Sequence, residues 1–368
     1  MKPTRLACAL LLLATTCLAQ QPTPRQRAST AAATLQHWYV PQTGLYQTTG
    51  WWNSANAITA LIDLQRATRN RAYVPALATT FTQAQIVIPK AEQTGPLTKM
   101  TGFPGFLNDY YDDEGWWALA WIDAYDLTNE PRYLAMAQSI FQDMSGGWDA
   151  TCGGGIWWSK QRTYKNAIAN ELFFSVATHL AVRAQATDRD RYNDWAGKEW
   201  RWFQASGMIN NQHLVNDGLN IDKSSGECRN NGRTVWTYNQ GVILGALTEW
   251  SRINPDSTLI TEARVLADAG LTSLTDNAGV LHDSCEPAAC GADAPQFKGV
   301  FNRNLRALQR VVHEPRYTAF FRTNADTIWT ADRTPDNTLG LVWSGPPLIP
   351  DAATQSSALD ALVAAIPD

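Results

Sequence analysis

Two adjacent carboxylates, Asp112 and Asp113, stand in the run Asn-Asp-Tyr-Tyr-Asp-Asp-Glu-Gly-Trp-Trp at residues 108–117. Paired carboxyl groups suit the cleavage of a glycosidic bond, because one protonates the leaving oxygen while the other attacks or stabilises the developing sugar cation. The neighbouring aromatic rings offer apolar faces on which a pyranose can stack. The pair is therefore our first candidate for catalytic residues.

The adjacency of these two carboxylates also predicts stereochemistry. Neighbouring Cα atoms are about 3.8 Å apart, and neighbouring side chains on a helix diverge by roughly 100°. The carboxyl groups can then lie about 5–6 Å apart, near the spacing of a retaining glycosidase and below the roughly 6.5–9.5 Å of an inverting one. If both act on one bond, we expect a covalent glycosyl-enzyme and retention of configuration.

A structural explanation of the same acids is that they stabilise the start of a helix, with Asn108 or Asp109 as the N-cap. Three observations favour catalysis instead. Four acids fall within six residues, which is more than a cap requires. Trp116 and Trp117 follow Asp113 by three and four residues, on its side of a helix. Like charges this close also push two carboxyl pKa values apart, as acid and nucleophile roles need.

The amino-terminal segment has the pattern of a secretory signal peptide. A basic start precedes a short apolar stretch, Leu6–Leu13, and a small residue, Ala19. We expect residues 1–19 to be removed and the protein to be secreted. We expect no membrane anchor, because Asp360 and Asp368 interrupt the apolar tail that a GPI signal requires. Residues 20–368 are expected to form a single catalytic domain, because no Gly- or Ser-rich linker divides them.

The composition excludes several classes of protein. A net charge of −4 and a pI of about 5.8 argue against a nucleic-acid partner and an anionic membrane surface. Neither zinc-ligand spacing nor a phosphate loop or dinucleotide fingerprint occurs, so we expect no metal and no cofactor. Four cysteines follow the signal segment and predict two disulfides. Of the three possible pairings, we expect Cys285–Cys290, a short local loop, and Cys152–Cys228.

Apolar residues recur at helical spacing almost throughout the chain. They predict about twelve helices, near residues 26–39, 52–69, 72–87, 109–128, 131–145, 165–185, 188–205, 235–252, 257–274, 297–312, 315–331 and 353–366. An Arg/Tyr signal recurs at Tyr73, Tyr133, Tyr192 and Tyr317, in steps of 60, 59 and 125 residues, with Leu259 near the missing step. A period of about 60 residues fits one helical hairpin with its loops.

Six such hairpins closing into a ring make an all-α (α/α)6 barrel, a six-hairpin toroid, with a cleft at one end of the inner helices. Long connections in a compact domain are usually functional. We therefore expect the cleft to be formed by the connections 89–108, 146–165, 206–234 and 275–296.

Five motifs occur in a characteristic order: Asp-Asp-Glu-Gly-Trp-Trp (112–117), Cys-Gly-Gly-Gly-Ile-Trp-Trp (152–158), Tyr-Lys-Asn-Ala-Ile-Ala-Asn (164–170), Thr-Tyr-Asn-Gln-Gly (237–241) and Phe-Lys-Gly-Val-Phe-Asn-Arg (297–303). Together they resemble glycoside hydrolase family 76, whose members are endo-acting α-1,6-mannanases and related fungal cell-wall enzymes on an (α/α)6 barrel. The resemblance implies a retaining attack on α-1,6-linked mannan, with Asp112 as the nucleophile and Asp113 as the general acid/base.

The motifs and the long connections also supply candidates for binding the polysaccharide: Trp116, Trp157, Asn166, Asn170, Asp217, Tyr238, Phe297 and Arg303. Structural explanations remain open for several of them. Asn166 and Asn170 share a helix face at i, i+4, which fits hydroxyl recognition as well as capping and hydrogen bonding between helices. Asp217 belongs to an Asn-Asp-Gly sequence, which is strong turn chemistry. Arg303 can equally pair with a buried acid.

The leading prediction is a secreted, monomeric, retaining endo-α-1,6-mannosidase that hydrolyses the α-1,6-mannan backbone through a covalent glycosyl-enzyme. The first alternative is a cell-wall transglycosylase acting on mannose-containing glycans, in which a sugar hydroxyl replaces water. A noncatalytic carbohydrate-binding protein is a further alternative, against which the intact carboxylate pair argues. Another (α/α)6 enzyme, such as an epimerase or an inverting glycosidase, would be favoured by a carboxylate separation well above about 6 Å.

Overall fold

The computed structural model describes residues 21–98, 100–288 and 290–368. The expected signal segment, residues 1–19, lies outside the described residues. Within these ranges the chain forms twelve α-helices, as the apolar periodicity predicts: α1 (Pro24–Leu35), α2 (Trp51–Thr68), α3 (Val74–Gln83), α4 (Tyr111–Thr128), α5 (Pro131–Ser145), α6 (Ala167–Arg183), α7 (Ala186–Ala205), α8 (Thr237–Trp250), α9 (Thr258–Ser273), α10 (Phe297–Val312), α11 (Pro315–Ala331) and α12 (Ala352–Ala364).

Alternate helices form a closed inner ring. Each even-numbered helix packs against the next, from α2 through α12, and α12 packs back against α2. The odd-numbered helices pack on this ring from outside, for example α5 on α4 and α7 on α6, while Phe81 of α3 contacts Trp121 of α4. This arrangement is the (α/α)6 toroid expected from the sequence, and that prediction is confirmed.

The two kinds of helix differ in how much of their surface is buried. All thirteen residues of α12 are buried, whereas α5 buries a single stripe along one face. Two glycines allow the inner helices to approach closely. A Cβ atom on Gly241 of α8 would lie 2.6 Å from the Phe301 Cα of α10, and one on Gly299 of α10 would lie 2.6 Å from the Ser357 Cα of α12. Any side chain at either position would therefore force the ring apart.

The Arg/Tyr repeat marks the start of outer helices. In α5, α7 and α11 an arginine guanidinium lies 4.7–5.2 Å from the ring centroid of the next residue, in the pairs Arg132–Tyr133, Arg191–Tyr192 and Arg316–Tyr317. These three tyrosines are fully buried, and Leu259, at the missing step in α9, is also buried. In the hairpins of α5, α7 and α11 the repeat in the sequence is thus the same Arg–Tyr contact.

Both expected disulfides are present, Cys152–Cys228 and Cys285–Cys290. Two short hairpins accompany the helices, β1 (Tyr39–Val40) with β2 (Leu45–Tyr46) and β3 (Leu219–Ile221) with β4 (Cys228–Asn230), and both are antiparallel. The first disulfide therefore joins the 146–165 connection to strand β4, while the second closes a small loop within 275–296. In the described part of the chain, no helix is long and apolar enough to cross a bilayer.

Candidate active site

A cavity of about 500 Å³ opens at the end of the ring where the inner helices begin. The first turns of five inner helices contribute to its lining: Trp52 of α2, Asp112 and Asp113 of α4, Asn166 at the N-cap of α6, Tyr238 of α8 and Phe297 of α10. The remaining lining residues are Tyr110, Trp116, Trp158, Tyr164, Asp217 and Asp293. Because helix N-termini carry partial positive charge, this end of the ring favours anionic groups.

The carboxylate pair lies in the first turn of α4. Asp112 Oδ2 accepts a hydrogen bond from Trp158 Nε1 at 2.9 Å, and Asp113 Oδ2 accepts one from Asn108 Nδ2 at 2.6 Å. Asp112 Oδ1 is buried and has no hydrogen-bond partner among the described residues. The helix begins after Tyr110, whose side chain makes no capping hydrogen bond, so neither Asn108 nor Asp109 is the N-cap.

Burial raises the pKa of both carboxyl groups. It lifts the pKa of Asp112 well above its usual value, and the charge of Asp113 raises it further. The pKa of Asp113 rises to about 7, chiefly through burial, while the hydrogen bond from Asn108 lowers it and the charge of Asp293 raises it. Because burial disfavours ionising both neighbouring groups at once, the pair can share one proton, which supplies an acid for the leaving oxygen.

Four aromatic rings form a continuous wall of the cavity. Trp52 stacks on Trp116 with ring centroids 5.8 Å apart, and Trp116 stacks on Tyr238 at 6.4 Å. Tyr238 in turn stacks on Phe297 at 3.7 Å. Trp52 is held in place by a 3.1 Å hydrogen bond from its Nε1 to Asp293 Oδ1. Such a wall presents ring faces suited to stacking against sugars.

Polar groups also line the cavity. Asp217 accepts a hydrogen bond from the Tyr164 hydroxyl, which accepts one from Asn231 Nδ2 at 2.9 Å. Asn166 caps α6 by accepting a hydrogen bond from the Ala169 N–H at 3.3 Å, and its side chain also lines the cavity. The capping role of Asn166 therefore does not exclude contact with a ligand.

The structure brings together seven of the ten sequence-predicted site residues: Asp112, Asp113, Trp116, Asn166, Asp217, Tyr238 and Phe297. Three predicted binding residues lie outside this cavity. Asn170 is fully buried, and its side-chain amide bonds both the N–H and the carbonyl of Ile156, at 2.7 and 3.0 Å. Trp157 donates to Asp149 Oδ2 at 2.7 Å and faces a neighbouring cavity.

Arg303 is the third of these residues. Its guanidinium forms a 3.0 Å ion pair with Asp360 and lines a separate cavity at the other end of the ring axis. It also lies 5.7 Å from the ring centroid of Trp116. Arg303 thus contacts Trp116, an aromatic residue of the candidate site, without lining the 500 Å³ cavity itself. We therefore assign no sugar contact in the 500 Å³ cavity to Asn170, Trp157 or Arg303.

Five lining residues were not among the predicted site residues: Trp52, Tyr110, Trp158, Tyr164 and Asp293. The paired tryptophans in the sequence were a usable signal for two of them, Trp52 and Trp158. Among the long connections, 146–165, 206–234 and 275–296 each contribute a lining residue. In the described part of 89–108 no residue lines the cavity, but Asn108 bonds two lining residues, donating to Asp113 and accepting from the Tyr110 N–H at 2.8 Å.

Residues 23–366 match the sequence profile described as "Glycosyl hydrolase family 76". The chain is 27% identical to mannan endo-1,6-alpha-mannosidase DCW1 of Saccharomyces cerevisiae over 313 residues, which cover 80% of this chain and 66% of that protein. It is 29% identical over 278 residues to the Candida albicans protein of the same name, covering 69% of this chain and 57% of the relative. The chain thus spans less than two thirds of the length of these curated relatives.

Two solved structures show the same fold. An inactive variant of the α-1,6-mannanase GH76A of Salegentibacter sp. HEL1_6, in complex with α-1,6-mannotriose, superposes with a TM-score of 0.81 at 21% identity, covering 94% of this chain and 99% of that one. In that variant two adjacent aspartates are replaced by asparagine. Dfg5 from Chaetomium thermophilum in complex with glucosamine superposes with a TM-score of 0.75 at 20% identity, covering 93% of this chain and 90% of that one.

Proposed function

The chain belongs to glycosyl hydrolase family 76, and we propose on that basis that it is an endo-acting α-1,6-mannosidase that hydrolyses the backbone of α-1,6-mannan. The observation that carries this proposal is the Asp112–Asp113 pair in the lining of a cavity with a continuous aromatic wall. Curated relatives that bear the name mannan endo-1,6-alpha-mannosidase support the choice of linkage and sugar.

In the proposed reaction Asp112 attacks the anomeric carbon while Asp113 gives its proton to the departing glycosidic oxygen. The indole N–H of Trp158 orients the Asp112 carboxylate. This reaction requires the proton of the pair to lie on Asp113 and Asp112 to be ionised, although burial raises the pKa of both carboxyl groups. Asp113, now ionised, then removes a proton from water, and this water cleaves the covalent glycosyl-enzyme from the opposite face. Configuration at the anomeric carbon is retained.

Sugar binding is proposed for the residues that line the same cavity. Trp116, Tyr238 and Phe297 present ring faces and edges to the pyranose units, together with Trp52. Asn166 and Asp217 supply hydrogen-bonding groups that can recognise hydroxyls. Their convergence on one cavity with the carboxylate pair supports this assignment.

We propose that residues 20–368 act as one catalytic domain, as a monomer, in an extracellular compartment. Two disulfides support an oxidising location, since such bonds persist outside the reducing cytosol. A single closed ring of inner helices, whose first turns and connections together line the cavity, supports one domain.

Product analysis on unbranched α-1,6-mannan tests the proposed activity. The purified protein should release short mannooligosaccharides whose new reducing ends are first formed as α-anomers, as followed by proton NMR. The Asp112→Asn/Asp113→Asn double variant is the matched control and should release none. Products joined to an added acceptor sugar, in place of hydrolysis, would instead indicate transglycosylation. No products from the wild type under either condition would refute the proposal.

Two substitutions beside Asp113, the proposed general acid, should shift the alkaline limb of the pH profile of kcat/KM in opposite directions. Asn108→Ser removes a hydrogen bond that stabilises the charged form of Asp113, so the pKa of Asp113 should rise and the limb should move to higher pH. Asp293→Asn removes a like charge, so the pKa should fall and the limb should move to lower pH. Initial rates on α-1,6-mannan between pH 4 and pH 10, roughly the range over which carboxyl and neighbouring groups titrate, measure both shifts. Shifts of the same sign would contradict this account.

A further inference from the structure

A second cavity, of about 450 Å³, adjoins the active-site cavity and shares Tyr164 with it. One wall belongs to the 146–165 connection and includes Trp157, and the other belongs to the β3–β4 hairpin and its flanks. The Cys152–Cys228 disulfide joins these two walls. Because the walls are covalently linked and Tyr164 is common to both cavities, the second cavity is a fixed extension of the candidate active site.

Positive charge predominates in this second cavity. Arg162, Lys223 and Arg233 line it, against a single carboxylate, Asp222. The Asp222 carboxylate is already engaged by the N–H and hydroxyl of Ser224, at 2.8 and 2.6 Å. Arg162 is partly committed, because it donates to the Gly146 carbonyl at 3.0 Å.

Lys223 and Arg233 are the uncommitted charges. Within the described ranges, the side chain of neither residue forms an ion pair or a hydrogen bond. Arg233 lies two residues after Asn231, which bonds Tyr164 where the two cavities meet. The chain as a whole carries a net charge of −4. Lys223 and Arg233 therefore place positive charge beside the candidate active site of a protein that is negatively charged overall.

The cavity at the far end of the ring axis provides a contrast. It is larger, at about 570 Å³, and several arginines line it. These are matched by acids, as in the pairs Arg66–Asp123 at 2.7 Å and Arg183–Glu249 at 2.6 Å. Arginines in that cavity therefore stabilise the fold by internal pairing, whereas Lys223 and Arg233 have charge available for a ligand.

We propose that the second cavity extends the glycan-binding cleft and takes an anionic substituent, of phosphate or carboxylate chemistry, carried by the polysaccharide. The inference rests on the proposed mannan-degrading function and adds a charged class of substrate to it. Both side chains are solvent-exposed, and a neutral mannan offers them no opposite charge. A phosphate ester offers charge-assisted hydrogen bonds to both, and the guanidinium of Arg233 can bind it through two N–H groups.

Binding to the inactive Asp112→Asn/Asp113→Asn protein tests this inference, because this protein does not consume the ligand. Isothermal titration calorimetry would compare three preparations of α-1,6-mannooligosaccharides: untreated, randomly phosphorylated, and carboxymethylated to the same degree. We expect at least one anionic preparation to bind about tenfold more tightly than the neutral one. The advantage should shrink as salt rises, because ions screen exposed charges. The phosphorylated and carboxymethylated arms identify which anion the cavity prefers.

Substitutions in the same background assign the effect to the second cavity. Lys223→Gln/Arg233→Gln should abolish the preference for the anionic ligand while leaving the neutral affinity within about twofold, a difference of well under 1 kcal/mol. The matched control is Arg229→Gln in β4, on the same hairpin, whose exposed guanidinium pairs with Glu227 at 2.7 Å and does not line the cavity. This control should keep the full preference.

Equal affinity for all three preparations would overturn the inference, as would a preference that survives Lys223→Gln/Arg233→Gln. The wild-type protein, assayed on neutral mannan, tests the proposed function separately. The protein could prefer the anionic ligand through Lys223 and Arg233 and yet fail to cleave neutral mannan. That pair of results would support the anion-binding cavity and refute the mannanase proposal.

Discussion

Asp112→Asn and Asp113→Asn should each lower the turnover of α-1,6-mannan by at least about 10²–10⁴-fold, the range associated with loss of general acid–base catalysis. For Asp112 the loss should be at least as large, because without its carboxylate no covalent intermediate can form. Both side chains line the cavity of about 500 Å³. A variant that kept activity within about tenfold of wild type would remove that residue from the catalytic assignment.

The two variants should differ with an activated substrate, and this difference assigns the roles. An aryl α-mannooligoside with a good leaving group needs little acid assistance, so Asp113→Asn should still form the glycosyl-enzyme, whereas Asp112→Asn should not. Added azide should then rescue Asp113→Asn and give an α-linked product, and it should rescue Asp112→Asn with inversion to a β-linked product. The reverse pattern would show that the roles are exchanged.

Thermal unfolding is the control for these variants. Burial raises the pKa of Asp112 and Asp113, so keeping the pair ionised costs folding free energy above the usual carboxyl range, and the cost grows as the pH rises. Replacing either carboxylate by a neutral amide relieves this cost. Both variants should therefore unfold at the wild-type temperature or above it near neutral pH, which separates loss of chemistry from loss of structure.

Helix positions and ring closure were predictable because their causes are local and repeated. Each hairpin carries its own apolar periodicity, and the outer helices α5, α7 and α11 carry the same Arg–Tyr anchor. Pro131 and Pro315 each stand at the first position of a helix, where the missing N–H has no cost. Regular local signals of this kind determine the architecture without knowledge of distant contacts.

The carboxylate site was predictable only in part, since residue type does not determine which way a side chain faces. Trp157 and Trp158 are neighbours in one connection, yet Trp158 bonds Asp112 while Trp157 faces the second cavity. Asp293 could not be predicted from its surroundings, because its position depends on Trp52, which is 241 residues away in the sequence. Such contacts arise when the ring closes and leave no local pattern.

The pKa values of the carboxylate pair were likewise predictable only in part from the sequence. Adjacent like charges predict that the pKa values of Asp112 and Asp113 separate, but the larger influence on each is burial, which raises both. The residues that bury Asp112 and Asp113 come from five helices and several connections. A ten-residue motif identifies the two carboxylates, but it does not predict which distant residues surround them.

Lys165→Met should destabilise the protein by more than the loss of a surface lysine, because each buried carbonyl that loses its donor costs about 1–3 kcal/mol. From the sequence, Lys165 is simply a residue near the start of a helix, but its side chain is fully buried. Its ammonium donates to the carbonyls of Thr151, Gly154 and Gly155 at 2.7, 2.6 and 2.8 Å, and to Asp149 Oδ1 at 3.0 Å. One cation thus organises the glycine-rich turn that precedes Trp158.

Methionine at position 165 would fill similar space but leave those carbonyls without their lysine donor, while Asp149 would keep its hydrogen bonds from Trp157 Nε1 and the Thr151 N–H. Urea denaturation measures the loss, with Lys198→Met as the matched control. Lys198 is exposed and lies over the rings of Trp148 and Trp195 at 4.1 and 4.4 Å, an exposed cation–π contact worth about 0.5–1 kcal/mol. Equal losses for the two variants would contradict the role of Lys165. A larger loss at Lys165, accompanied by reduced mannan hydrolysis, would show that this buried charge sustains the turn from which Trp158 orients the proposed nucleophile.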